Sequence, residues 1–145
     1  AKAIEKVQGQ VTSGANAVAQ VAAITALKAI PAECKEFQNM KKAFNERRDY
    51  IIQRIENIPG MIPNHPDGAF YVFPNVAELY GKSNGEITIN NDNDLCIYLL
   101  NKANVALVPG SAFGNPNCIR FSYATSMEQI KEAMDRIENA VLALS

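Results

Sequence analysis

Apolar residues recur along this chain in three rhythms, and each rhythm predicts a different element. From Ser13 to Ala29, alanines and Val18, Val21, Ile24 and Leu27 lie all round a helical wheel, with no charge before Lys28. A helix that is apolar on every side has to be covered by something. The residues before it, Ala1 to Gln10, read as part of a helix entered midway, because no capping residue precedes them. Downstream, Phe37, Met40, Phe44, Ile51, Ile55 and Ile58 recur at spacings of three, four and seven, which defines one face of a helix. Pro31 suits its first turn, and Pro59 with Gly60 ends it. Running from Ala32 to Asn57, such a helix is about 39 Å long at roughly 1.5 Å per residue. Its Phe37, Met40 and Phe44 face is predicted to point inward.

The rhythm then shortens. Ala69 to Phe73 is aromatic and β-branched and is closed by Pro74, which predicts a strand. Tyr80 to Asn93 is loop-like, with a short strand at Ile87 to Ile89. Asp92 or Asn93 caps a helix reaching Ala103, with Leu95, Tyr98 and Leu99 inward, and Asn104 ends it in a left-handed turn. Val105 to Val108 reads as a buried strand. In the next one, Ile119, Phe121 and Tyr123 alternate with Arg120 and Ser122, giving two chemically distinct faces. Ser126 and Gln129 form a capping box for a last helix, striped by Ile130, Ala133, Met134, Ile137, Val141 and Leu144. The pattern predicts an α+β fold, a small, mostly antiparallel sheet packed against helices, with Val105–Val108 and Ile119–Tyr123 in one sheet.

Composition narrows the partners. Fourteen basic and fifteen acidic residues in 145 leave a net charge of −1, so no field draws the whole chain onto nucleic acid or anionic lipid. Lys2, Glu5 and Lys6 interrupt the first ten residues, so neither a signal peptide nor a membrane span is expected there. Cys34, Cys96 and Cys118 lie far apart with no CxxC pair, the usage of free thiols in a reducing, cytoplasmic compartment. The single histidine, His65, sits between Pro63 and Pro66, so neither histidine-based nucleophilic catalysis nor a multi-histidine metal site is expected.

Two features retain chemistry. VPGSAFG, Val108 to Gly114, places two glycines and a proline after a strand, where backbone could approach a ligand closely, but it lacks the GKS or GKT ending of a phosphate loop and, taken alone, reads better as a structural turn. Arg120 sits in mid-strand a few residues later. A planar guanidinium on a rigid strand suits fork-shaped recognition of a carboxylate, although on pattern alone a solvated sheet face is the better account of it.

Four blocks in order carry a family resemblance: QGQVTSGANAVAQVAAITAL at Gln8–Leu27, GAFY at Gly68–Tyr71, VALVPGSAFG at Val105–Gly114, and IRFSYATSMEQIKEAMDRI at Ile119–Ile137. Together they resemble the C-terminal part of class I, fold-type I pyridoxal-phosphate-dependent aminotransferases of the aspartate aminotransferase type. The resemblance implies a homodimeric transaminase that moves an amino group between an amino acid, aspartate among the candidates, and a 2-oxo acid. By the same likeness, residues 1–30 follow the cofactor-lysine region and residues 31–145 form the small C-terminal domain. Arg120 takes the place of the arginine that binds the substrate α-carboxylate, Phe70 lies near the substrate pocket, and Thr12 and Ser13 fall near the subunit interface.

The family's SKxxxxxGxR segment with its Schiff-base lysine is missing, as is the aspartate that pairs with the cofactor's ring nitrogen, and none of the nine lysines has that context. The resemblance therefore assigns no catalytic, cofactor-binding or metal-binding residue within these 145. The chain by itself is expected to be an inactive portion of an enzyme that does not bind pyridoxal phosphate specifically, with an exposed apolar helix that self-associates. The alternative is a stand-alone, non-catalytic binding or dimerisation module with the same fold.

Overall fold

A computed structural model describes residues 1–145, with five α-helices and a three-stranded antiparallel sheet, an α+β architecture. It divides into two units, Ala1–Met40 and Lys41–Ser145.

In the first unit, α1 spans Lys2–Val11 and closes at Thr12, whose backbone N–H donates to the Gln8 carbonyl at 2.8 Å. Ser13 then adopts a left-handed φ of 58°, so the next helix cannot begin there. Instead Asn16 accepts from the Ala19 N–H at 3.1 Å and caps α2, Ala17–Lys28. No residue of α1 or α2 is buried, and Val18 and Leu27 are 78% and 86% exposed. Pro31 opens a 3-10 turn, Pro31–Glu33, and not the long helix expected of it. Cys34 has an extended ψ of 103°, which interrupts the run, and α3 starts at Lys35 and continues to Glu56. The inward face expected for Phe37 and Met40 is also corrected. Both are exposed, since spacing defines a stripe without saying what covers it.

The second unit holds the core. β1 (Tyr71–Val72), β2 (Val108–Pro109) and β3 (Ile119–Ser122) are arranged in the order β1-β3-β2, and β3 pairs antiparallel with both neighbours. The end of α3 contributes Ile51 and Ile55. These pack with Leu95, Tyr98 and Leu99 of α4 (Asp92–Ala103), with Ile119 and Phe121, and with Ile130, Met134 and Ile137 of α5 (Met127–Leu142). Each such side chain contributes roughly 1.5–3 kcal/mol on burial. The Tyr98 hydroxyl donates to the Ala140 carbonyl at 2.8 Å, satisfying a buried polar group between α4 and α5.

The strands are shorter than their sequence pattern. Ala69 has a φ of 62° and the Phe73 N–H donates to the Asn64 side chain, so only Tyr71 and Val72 pair in the Ala69–Phe73 run. The Val105 N–H is taken by the Leu99 carbonyl at the end of α4, and pairing begins only at Val108, which is half-buried. Ile87–Ile89 is not a strand; Asn84 accepts from the N–H groups of Glu86 and Ile87 to form a turn, leaving one bridge, Ser83 with Thr88. Asn91, one residue before the expected cap, accepts from the Asp94 N–H and caps α4. Asn104 ends that helix left-handed, with φ 54°. Ser126 caps α5, but the Gln129 side chain accepts from Thr125 and leaves the reciprocal half of the capping box unmade.

Candidate functional site

Alternation through β3 and the residue after it buries Ile119, Phe121 and Tyr123 and turns Arg120 and Ser122 to the other face. Tyr71 is directly opposite Ser122 on β1, which makes it the diagonal neighbour of Arg120, within reach for an aromatic side chain. The Arg120 guanidinium carbon lies 4.5 Å from the centre of the Tyr71 ring and 4.3 Å from that of Phe113. Both are cation–π distances. Phe113 in turn meets Phe73 edge-on at 6.1 Å.

Arg120 makes no ion pair and no side-chain hydrogen bond, whereas Arg48, Arg54 and Arg136 each engage a carboxylate. Aromatic rings occupy a guanidinium's faces without using its N–H donors. A half-buried cation is thus held on a rigid strand with its donor edge uncommitted, an arrangement that can grip a carboxylate through two parallel hydrogen bonds.

Phe113 comes from the 3-10 turn Gly110–Phe113. A Cβ on Gly110 would stand 2.2 Å from the Cys118 carbonyl oxygen and 2.3 Å from that of Asn115, so the close approach at Gly110 is to the loop's own backbone, as in a structural turn. Gly114 closes the turn with φ 82°. The Ser111 N–H donates to Asp92 Oδ2 at 2.7 Å, and Asp92 is the one charged residue in the core. Burial works to raise the Asp92 pKa, but hydrogen bonds from Ser111 and nearby backbone N–H groups outweigh it, and the net shift is downward.

Phe70 is 39% exposed, with its ring centre 4.5 Å from that of Tyr71 and 6.2 Å from that of Phe44. Its carbonyl accepts from the Tyr123 N–H, and the Tyr123 hydroxyl donates to Ala69. One ring, Tyr71, therefore separates Phe70 from Arg120. Sequence reasoning missed Tyr71, Phe113 and the inward turn of Asp92; the signal for the first was its place in GAFY opposite the Arg120 strand. Thr12 and Ser13 form the turn after α1.

The other candidates stand apart. His65 is exposed, 3.7 Å from Glu56. The three cysteines are free, and no three His, Cys, Asp or Glu side chains converge as metal ligands. A cavity of about 220 Å³ between α3 and α5, bordered by Ile51, Phe121 and Met134, has no charged lining residue and is no carboxylate site. Lys102 and Asp92 do not fit pyridoxal phosphate either. A Schiff-base lysine needs a lowered pKa, but Lys102, in a groove with Tyr98 and Arg136, is held protonated by Glu86 at 2.6 Å. The buried carboxylate, Asp92, is committed to Ser111. No helix is long and apolar enough to cross a membrane.

The sequence profile of the aminotransferase class I and II family matches residues 1–137. The bifunctional aspartate aminotransferase and glutamate/aspartate-prephenate aminotransferase of Petunia hybrida is 44% identical over 98% of this chain and 30% of its own length. The aspartate aminotransferase of Pinus pinaster is 42% identical over 96% of this chain and 28% of its own. Among solved structures, the aspartate aminotransferase of Rhizobium meliloti superposes with a TM-score of 0.89 at 39% identity, covering 99% of this chain and 36% of that one. An alanine aminotransferase from Pyrococcus furiosus gives 0.79 at 31% identity, covering 97% and 33%. The chain spans between 28% and 36% of the length of these relatives.

Proposed function

Since the chain belongs to the aminotransferase class I and II family, we propose that within a complete pyridoxal-phosphate-dependent aminotransferase residues 31–145 form the small C-terminal domain. Residues 1–30 then connect it to the part that bears the cofactor lysine. In this reading Arg120 binds the α-carboxylate of both the amino-acid and the 2-oxo-acid substrate. The observation that carries it is the donor edge of Arg120, unpaired and flanked by the rings of Tyr71 and Phe113.

Two parallel hydrogen bonds fix a carboxylate in the plane of the guanidinium, and that plane is set by the rings. Fixing the carboxylate orients the substrate's Cα–H bond, which is where positional control affects rate. Phe70, beside Tyr71, borders the space where the substrate's remainder lies. The cofactor's electron sink is supplied from outside these residues, so the chain alone transaminates nothing. Aspartate is the preferred amino acid in this reading, supported by the names of several relatives. The complete enzyme is a cytoplasmic homodimer.

The test compares the complete protein with residues 1–145, each given pyridoxal phosphate, aspartate and 2-oxoglutarate. Turnover is expected from the complete protein only, and borohydride reduction of the 145-residue chain should label no single lysine stoichiometrically. Turnover by the short chain, with one labelled lysine on peptide mapping, would overturn the proposal.

A further inference from the structure

We propose that Phe113 and Asp92 are positioning residues for Arg120: Asp92 anchors the Gly110–Phe113 turn, and the turn presents the Phe113 ring to the guanidinium. This rests on the carboxylate-binding reading of Arg120. The chain of contacts is short. The Asp92 Oδ2 accepts from the Ser111 N–H at 2.7 Å, and two residues on, the Phe113 ring centre lies 4.3 Å from the guanidinium carbon. Gly110 and Gly114 fix the two ends of the turn, one by backbone packing and the other by its left-handed φ.

A single Arg120 rotamer has to be maintained without a carboxylate partner, since such a partner would compete with the substrate. Tyr71 alone provides one ring, on a strand whose position the sheet dictates. Phe113 comes from a loop and is 50% exposed, so apart from its edge-on contact with Phe73 no packing holds its ring in place. The buried anchor explains how an exposed ring keeps a defined position. It also gives a role to the one charged side chain in the core, which lies at the start of α4 but leaves the capping to Asn91. The attraction depends on the negative face of an aromatic ring, so an aliphatic side chain of similar bulk does not replace it.

The experiment uses the full-length enzyme and two readouts, the dissociation constant of the unreactive dicarboxylate maleate by calorimetry and the separate kcat and KM for aspartate. Phe113→Leu is expected to weaken maleate and raise KM about two- to thirty-fold, the range of one cation–π contact, with kcat changed less. Phe113→Tyr, which keeps the ring, should stay within twofold of wild type. Asp92→Asn should weaken maleate in the wild-type background and add less than twofold once Phe113 is Leu. Maleate affinity within twofold of wild type for Phe113→Leu, with Arg120→Ala strongly weakened, would overturn the positioning role and leave the carboxylate reading intact. Unchanged affinity for Arg120→Ala would sink the carboxylate reading itself. If Asp92→Asn does not fold, Asp92→Glu, which keeps the charge but displaces the oxygen that accepts from Ser111, is judged by the same two comparisons.

Discussion

Arg54 and Glu138 meet at 2.8 Å and join the end of α3 to α5. The same guanidinium donates to the Tyr50 hydroxyl at 2.8 Å and pairs with Asp135 at 2.7 Å. Burial of Arg54 works to lower its pKa, but the bonds to Tyr50, Asp135 and Glu138 outweigh it and hold the charge on. Hydrogen bonds to charged groups contribute roughly 1.5–3 kcal/mol, but the Asp135 carboxylate is largely exposed and screened. Arg54→Met is therefore expected to destabilise the fold by about 1–2 kcal/mol after that discount. Urea unfolding with an unchanged m-value checks it, and a loss below ~0.3 kcal/mol would show that the pair of helices is held by apolar packing alone.

The two glycines of the Arg120 loop should respond differently. In Gly110→Ala the new methyl meets the backbone of Asn115 and Cys118, which cannot swing aside, so a loss of about 1–3 kcal/mol is expected together with displacement of the turn. In Gly114→Ala nothing lies within 4 Å of the new carbon, and only the left-handed φ is penalised, by about 1–2 kcal/mol. Thermal unfolding ranks the two. Carboxylate binding in the full-length enzyme should suffer at position 110 and survive at 114, and the reverse order would refute the role given to the Gly110 packing.

Elements governed by local chemistry were legible in the sequence. The stripe and Ser126 cap of α5, the two faces of β3, and the left-handed Asn104 all follow from neighbouring residues, and the structure reproduces them. Strand lengths were not legible, because whether Val105 or Phe73 pairs depends on what else takes its N–H, here Leu99 and Asn64. The site shows the same divide. Arg120 stood out through alternation, but Tyr71 becomes its neighbour only through the register of β1 on β3, and Phe113 only through a loop anchored from α4. Asp92 is of a type that suits caps, and its inward turn is a tertiary effect.

Thiol chemistry offers an independent check on burial. Cys96 is pushed up to about 11 by burial and by the negative charge of Asp92, and burial also raises Cys118. Thiolate is the reactive form. At pH 8, iodoacetamide should label the half-buried Cys34 first and reach Cys96 and Cys118 only on unfolding. Mass spectrometry showing Cys96 labelled as fast as Cys34 in folded protein would contradict the packing around α4.

The linkage at Asp92 has a definite sign. Its folded pKa lies below the ordinary carboxylate value, so its ionised form stabilises the fold above the unfolded pKa, and this contribution is lost as pH falls through the folded value. The stability gap between wild type and Asp92→Asn should be full at pH 7 and shrink below roughly pH 4. A gap that widens on acidification would reverse the assigned shift.

The most direct measurement is the kinetics of Arg120 variants in the folded, full-length enzyme. Truncating one partner of a hydrogen-bonded, desolvated charge pair costs roughly 2–5 kcal/mol, and each ~1.4 kcal/mol is tenfold. Arg120→Ala should therefore lower kcat/KM for aspartate by well over tenfold, and Arg120→Lys should recover only part of it, because an ammonium is a point charge without the fork. Values within twofold of wild type for both variants would mean that Arg120, for all its flanking rings, does not hold the substrate carboxylate.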